Sequence, residues 1–201
     1  MLLGLDVGGT FTDAVIIDGH RVVATAKRRT TKDNLMNGIG EALDAVLEGY
    51  DTSNIEQVTL STTVVTNTIV EEKEQVVDLY VVTGPGRNVD DIFPVKPIYL
   101  QGYTDHRGIV VEHTPADAVR GIANMVQARS GTDLAAVSAK FGVRNPQEEL
   151  SITEELKNTY HAISNGSLLS GSLNFPRRTI SAYFNSAVTP VFTVFKKNVE
   201  D

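Results

Sequence analysis

Residues 5–13 read LDVGGTFTD, and the rest of the chain is organised around this stretch. An apolar strand, Leu2 to Val7, carries one acid, Asp6, and runs into two glycines and a threonine before a second strand opens at Phe11. Gly8 and Gly9 tolerate positive φ and carry no Cβ, so a hairpin turn there could present backbone N–H groups to an anion at close range. Thr10 adds a hydroxyl. Asp6 at the strand end could hold a hydrated divalent cation, which prefers oxygen ligands and retains several waters. On residue types alone, Gly-Gly between apolar strands is equally an ordinary hairpin turn.

Working outward, the first 30 residues read as a three-stranded meander, with Asp18-Gly19 as the second tight turn and Arg21 to Ala26 as the return strand. Asp13 falls on the same strand face as Phe11 and Val15, either beside a metal or Thr10 or simply in solvent. Asp33 to Gly49 has helical spacing, with Asp33 as N-cap, and Glu56 to Leu60 reads as a short strand. Thr62 to Lys73 reads as a second helix with a hydroxylated first turn, where Thr63 and Asn67 share a face. Such a turn could receive an anionic or carbonyl group, or serve only as a cap.

Gln75 to Thr83 is an apolar strand ending in GPGRN at 84–88, and HRGIVVEH at 106–113 reads as a hairpin. A helix follows from Thr114 with Val119, Ile122, Met125 and Val126 as its buried stripe. Leu134 to Phe141 is the next strand, and Asn145-Pro146 opens another helix. Asn-Gly-Ser and Ser-Gly-Ser within 165–173 read as a flexible loop, and Ile180 to Val199 as an aromatic helix kinked at Pro190. Strands clustered first and then alternating with helices indicate α/β with a mixed sheet flanked by helices.

Composition narrows the function. The 201 residues suffice for one good core, or one core with a small appendage. A net charge of −7 argues against a nucleic-acid partner. The absence of cysteine excludes disulfides and thiolate chemistry and fits a cytoplasmic location. Met1 to Val7 lacks the features of a signal peptide, and no apolar run approaches the ~20 residues of a membrane span. The four histidines are scattered without metal-ligand spacing.

LDVGGTFTD resembles the first phosphate loop of the superfamily containing actin, sugar kinases and acetate kinase, and its GGTFTD ending is most similar to the hydantoinase/oxoprolinase family. STTVVTNTIVEEK at 61–73, FGVRNPQEE at 141–149 and RTISAYFNSAVTP at 178–190 resemble further segments of that family in the same order. Ser61 stands where the family has glycine, and Arg177 where it has an acid. The resemblance covers the family's N-terminal domain. It implies a ribonuclease-H-like core, 1–83 with 131–201, interrupted by a small subdomain at 84–130, the whole forming one half of an actin-like ATPase fold.

The same resemblance implies ATP and Mg²⁺ as cofactors. It places Gly8, Gly9, Thr10 and Thr12 on the phosphates, Asp6 on the metal through water, and Asp6 with Asp13 in catalysis. Thr63, Asn67, Arg178 and Asn185 would lie on the substrate side. The implied reaction is ATP-dependent opening of a hydantoin or 5-oxoproline-like ring through phosphorylation of the amide oxygen. A small cyclic amide would be the substrate. The expected partner is a C-terminal half, in the same protein or as a separate subunit, with a second hydantoinase subunit as a further candidate. The alternatives are a small-molecule kinase of the same superfamily and a noncatalytic nucleotide-sensing or assembly module.

Overall fold

β1 (Leu2–Val7), β2 (Phe11–Asp18) and β3 (Arg21–Arg29) form the antiparallel meander that the opening alternation predicts, with Gly19 taking φ +56° at the second turn. The protein is described here by a computed structural model covering residues 1–31, 35–86 and 90–200. Asp33, expected as an N-cap, lies outside the described residues, as do Arg87 and Asn88 of the GPGRN stretch. The chain divides into two units, Met1–Lys73 with Val191–Asp201, and Glu74–Pro190.

In the first unit, β4 (Gln57–Thr62) adds to β1 in parallel, giving a mixed sheet of order β3-β2-β1-β4. The two-residue period of a strand sorts its side chains. Leu3, Leu5, Ala14 and Ile16 turn to one face and pack on Ala42 and Val46 of α1 (Leu35–Leu47). At the loop end, Val7 meets Ile39 and Phe195. Burying Ile16, which is fully inaccessible, is worth about 1.5–3 kcal/mol. The opposite face carries the register pair Asp6 and Asp13, flanked by Ser61 and Lys27 on the neighbouring strands.

The second unit holds a parallel sheet of β5 (Asp78–Val82), β6 (Ile98–Tyr99), β9 (Leu134–Ala139) and β10 (Ala162–Asn165), in the order β10-β9-β5-β6. Every residue of β5 and β9 is buried, as parallel strands covered on both faces require. Tyr80, Val82 and Val137 pack under α3 (Ala116–Ser130) and α4 (Gln147–Leu156). Leu79, Val81 and Ala136 pack on Ala182, Tyr183 and Ala187 of α6 (Phe175–Glu200). Between β6 and α3, β7 (Tyr103–Thr104) and β8 (Val110–Glu112) form a hairpin. Its turn is held by Asp105, whose carboxylate accepts the amides of Ile109 and Arg107; these bonds hold its pKa below the usual value.

Several expectations are corrected here. Residues 84–130, the stretch expected as a small inserted subdomain, contribute β6 and α3 to the second unit, and the described residues hold two four-stranded sheets, the first mixed and the second parallel. The second helix, α2, spans only Val64–Val70 and ends where Glu72 takes φ +53°. The supposed flexible loop begins with the end of β10 and a short helix, α5 (Gly166–Leu169), because Asn165 is buried and accepts the Thr153 hydroxyl at 2.6 Å. Met125 is half exposed and does not join the core. The last helix starts at Phe175 and continues through Pro190, next to which the unit boundary falls.

Candidate functional site

The turn joining β1 and β2 is fixed mainly from its carbonyl side. Thr30, immediately after β3, donates its hydroxyl to the Gly8 carbonyl at 2.9 Å and its amide to the Thr10 carbonyl at 2.9 Å. Its hydroxyl proton being thus engaged, Thr30 accepts from Thr12, 3.1 Å away. The Gly8 amide closes the turn onto the Phe11 carbonyl at 3.0 Å. The amides of Gly9 and Thr10 have no protein acceptor among the described residues, and both residues are exposed. Unsatisfied amides held in a fixed, solvent-facing turn are what an anion requires of a backbone.

Asn67 of α2 stands against this turn. A Cβ on Gly9 would come within 2.7 Å of Asn67 Nδ2, so the glycine is needed for space; neither Gly8 nor Gly9 uses the left-handed region. Asn67 in turn donates to the Thr63 hydroxyl at 3.2 Å. The Thr62 hydroxyl donates to the Val7 carbonyl at 3.1 Å and accepts the Val64 amide at 3.2 Å, fastening the start of α2 to the end of β1. Beside the turn lies a cavity of about 240 Å³, lined among others by Gly8, Gly9, Thr62, Asn67, Thr68 and Lys73.

The acids occupy the other sheet face. Asp6 is exposed and accepts the Ser61 hydroxyl on Oδ1 at 2.5 Å; Asp13 is engaged by Lys27 at 2.6 and 2.7 Å on its two oxygens. A shallow cavity of about 500 Å³ lies over them, with Thr25, Lys27, Thr59 and Ser61 among its walls. Asp13 already has a counter-ion on both oxygens. Among the described residues Asp6 is hydrogen-bonded only by the Ser61 hydroxyl, which leaves its second oxygen available to a metal-bound water. Ser61, at the position where glycine was expected, is the residue that takes up the first.

Two site expectations change. Thr12, expected on the phosphates, is fully buried with its hydroxyl on Thr30, so it can act on the loop only through that residue. Arg178, expected on the substrate side, is 1% exposed; Nη1 donates to the Ser172 carbonyl and Nη2 to the Ala139 carbonyl, each at 2.7 Å. Burial pulls its pKa down from the ordinary guanidinium value, and the nearby Glu149 carboxylate opposes that shift. Asn185 is exposed in the second unit and donates to the Ser164 hydroxyl at 2.9 Å. The structure therefore brings Gly8, Gly9, Thr10, Thr63 and Asn67 together, places Asp6 with Asp13, and puts Arg178 and Asn185 in a different unit.

Two residues went unrecognised as organising groups. Thr30 bonds to residues 8, 10 and 12, too remote in sequence for any local pattern to reveal it. Glu149, the second acid of the FGVRNPQEE segment, is fully buried and accepts the amides of Ala139 and Ser167, each at 2.7 Å, joining the end of β9 to the start of α5.

These features define a mixed α/β protein whose first strand ends in a glycine turn with two exposed, unpaired amides. The chain belongs to the hydantoinase/oxoprolinase family: the description "Hydantoinase/oxoprolinase N-terminal region" matches residues 2–160. Among solved structures it resembles a nucleotide-free acetone carboxylase, from work on ATP-dependent acetone carboxylation, with a TM-score of 0.74 at 18% identity, covering 98% of this chain and 34% of that one. It also resembles the ATP-dependent caprolactamase from Pseudomonas jessenii, with a TM-score of 0.72 at 18% identity, covering 100% of this chain and 33% of that one. The chain thus spans about a third of the length of these neighbours, a likeness that establishes the shared fold. No curated protein sequence matches it.

Proposed function

We propose that this chain is the phosphate-gripping part of an ATP-dependent enzyme acting on a cyclic amide, a hydantoin or 5-oxoproline-like ring. The observation that carries the reading is the pair of unsatisfied amides at Gly9 and Thr10, locked by Thr30 beside the Asn67 carboxamide. Family membership and the ATP-dependence of the two structural neighbours support the same ligand.

The residues present fit Mg²⁺ in a particular way. No cluster of three or more His, Cys, Asp or Glu exists among the described residues, so the protein offers no all-protein cage. One accessible carboxylate, Asp6, suits a cation that keeps its waters and takes most other ligands from phosphate oxygens. Bound Mg·ATP would supply the phosphoryl group that turns an inert lactam oxygen into a leaving group. The chain's own contribution is to hold and orient. The Gly9 and Thr10 amides would meet phosphate oxygens, Asp6 would hold a metal-bound water by accepting a hydrogen bond, and Asn67 with Thr63 would present an amide and a hydroxyl beside the loop. Positioning and fixed dipoles of this kind carry most of phosphoryl-transfer catalysis. A C-terminal partner half would complete the enzyme.

Calorimetric titration of Mg·ADP into wild type and Asp6→Asn tests the assignment. Weaker binding by Asp6→Asn in the presence of Mg²⁺, with little difference in EDTA, is expected. Equal affinity under both conditions removes Asp6 from the site.

A further inference from the structure

The second unit has a crevice at the point where its sheet changes direction. After β5 the chain passes to β6 on one side; after β9 it passes to β10 on the other, and β5 and β9 are neighbours. In open parallel sheets, ligands settle outside the carboxyl ends of strands at this kind of switch point. A cavity of about 340 Å³ lies there, lined by Thr83, Gly84 and Gly86 after β5, by Lys140 and Phe141 after β9, and by the segment that opens α6. Its size falls within the usual range for small-molecule pockets.

Its walls are specific. The Lys140 amide donates to the Val82 carbonyl at 2.8 Å, which fixes Lys140 between the two strand ends. Its ammonium leans over Gly86, 3.7 Å from where a Cβ would be, and forms no ion pair among the described residues of this acidic chain. Phe141 takes φ +64°, a strained conformation for a bulky residue that is retained mainly where surrounding structure or function demands it. The rims are tied by buried Arg178, which bridges the Ala139 carbonyl on one side and the Ser172 carbonyl on the other. The remaining surface is apolar, from Pro85, Phe141, Leu173, Phe175 and Pro176, apart from Asn174, whose Oδ1 accepts the Arg177 amide at 3.1 Å.

We propose that this crevice binds a small carboxylate with an apolar body, its charge met by the Lys140 ammonium and its body by Phe141 and Phe175. Among the described residues the pocket presents one cation, which balances one negative charge, and its largely apolar walls penalise a dianion such as phosphate, whose second charge would lie unpaired. The site is independent of the nucleotide reading of the first unit.

Amide NMR spectra of the chain, titrated with benzoate, benzamide and inorganic phosphate, test it. Benzoate is expected to move the amides of Gly84, Gly86, Lys140 and Phe141 saturably, while benzamide does not. Lys140→Gln should weaken benzoate about tenfold or more with an unchanged melting temperature, the value of one charge-assisted contact, and Lys140→Arg should retain it. The proposal is overturned if those amides stay still, if benzamide matches benzoate, if phosphate binds there more tightly than benzoate, or if Lys140→Gln binds as wild type does.

Discussion

Replacing Gly9 with alanine separates the shape of the turn from its chemistry. Gly9 does not use the left-handed region, so the added methyl meets no backbone penalty; it meets Asn67 Nδ2 at 2.7 Å. Carbon and nitrogen need about 3.5 Å, so the carboxamide has to swing away and give up its 3.2 Å bond to Thr63. That loss costs about 0.5–1.5 kcal/mol, and the reduced freedom of the unfolded chain returns about 0.4–1 kcal/mol. Stability should therefore change by less than about 1 kcal/mol. Binding should not be spared, because the displaced carboxamide crowds the two free amides. Hydrogen bonds to a charged group are worth about 1.5–3 kcal/mol, so losing one weakens Mg·ADP by about 10- to 150-fold. Calorimetry with Mg·ADP and a thermal melt on the same samples give both numbers. Adding Asn67→Ala closes a double-mutant cycle: if the methyl acts through Asn67, Gly9→Ala should cost much less binding in the Asn67→Ala background than in wild type. Additive losses, or full affinity in Gly9→Ala alone, would refute the reasoning.

Glu149→Gln puts an N–H₂ group against amides that both need an acceptor at 2.7 Å, in a site with no solvent exposure. It should cost about 2–4 kcal/mol, read as a drop of several degrees in melting temperature; an unchanged melt would remove the clasp from the account of stability. Tyr80 is buried and donates to Tyr160, which donates to Asp78, and burial raises the Tyr80 pKa from 10.0 to about 12. The folded chain thus holds a proton that the unfolded chain releases, so the contribution of Tyr80 is complete below pH 10.0 and is lost as pH rises toward about 12. Denaturant melts across that window should show wild type weakening and Tyr80→Phe weakening less steeply; equal slopes would show that Tyr80 does not set them.

Much of this architecture is written locally. Alternation from Leu3 to Val7 and from Ala14 to Ile16 specifies the meander and its inward face, and the same alternation, carried two residues back from Ala14, already turns Thr12 inward. Arg178 is not legible in this way: the apolar spacing reads a helix only from Ile180, and it is the extension of α6 back to Phe175 that places Arg178 one turn before buried Ala182. What sequence does not carry is non-local pairing. Residues 162–165 become a strand only because β9 offers them a parallel edge, and four residues ending in Ser-Asn have no strand signature of their own. Thr30 and Glu149 matter through partners brought close only by the fold.

The two-residue period also constrains any chemistry at the opening turn. Asp6 and Val7 are consecutive in β1 and must point to opposite faces, so Asp6 cannot share a sheet face with Val7 or with the cavity beside Asn67. A ligand that uses both the carboxylate and the free amides therefore has to bridge the end of the β1–β2 hairpin, at Gly8 to Thr10, where the sheet stops and the two faces meet. A polyphosphate chain with its hydrated cation is long enough and flexible enough to do this. Side chains at positions 8 and 9 would narrow that passage, a cost beyond the contact with Asn67 that already calls for glycine at position 9.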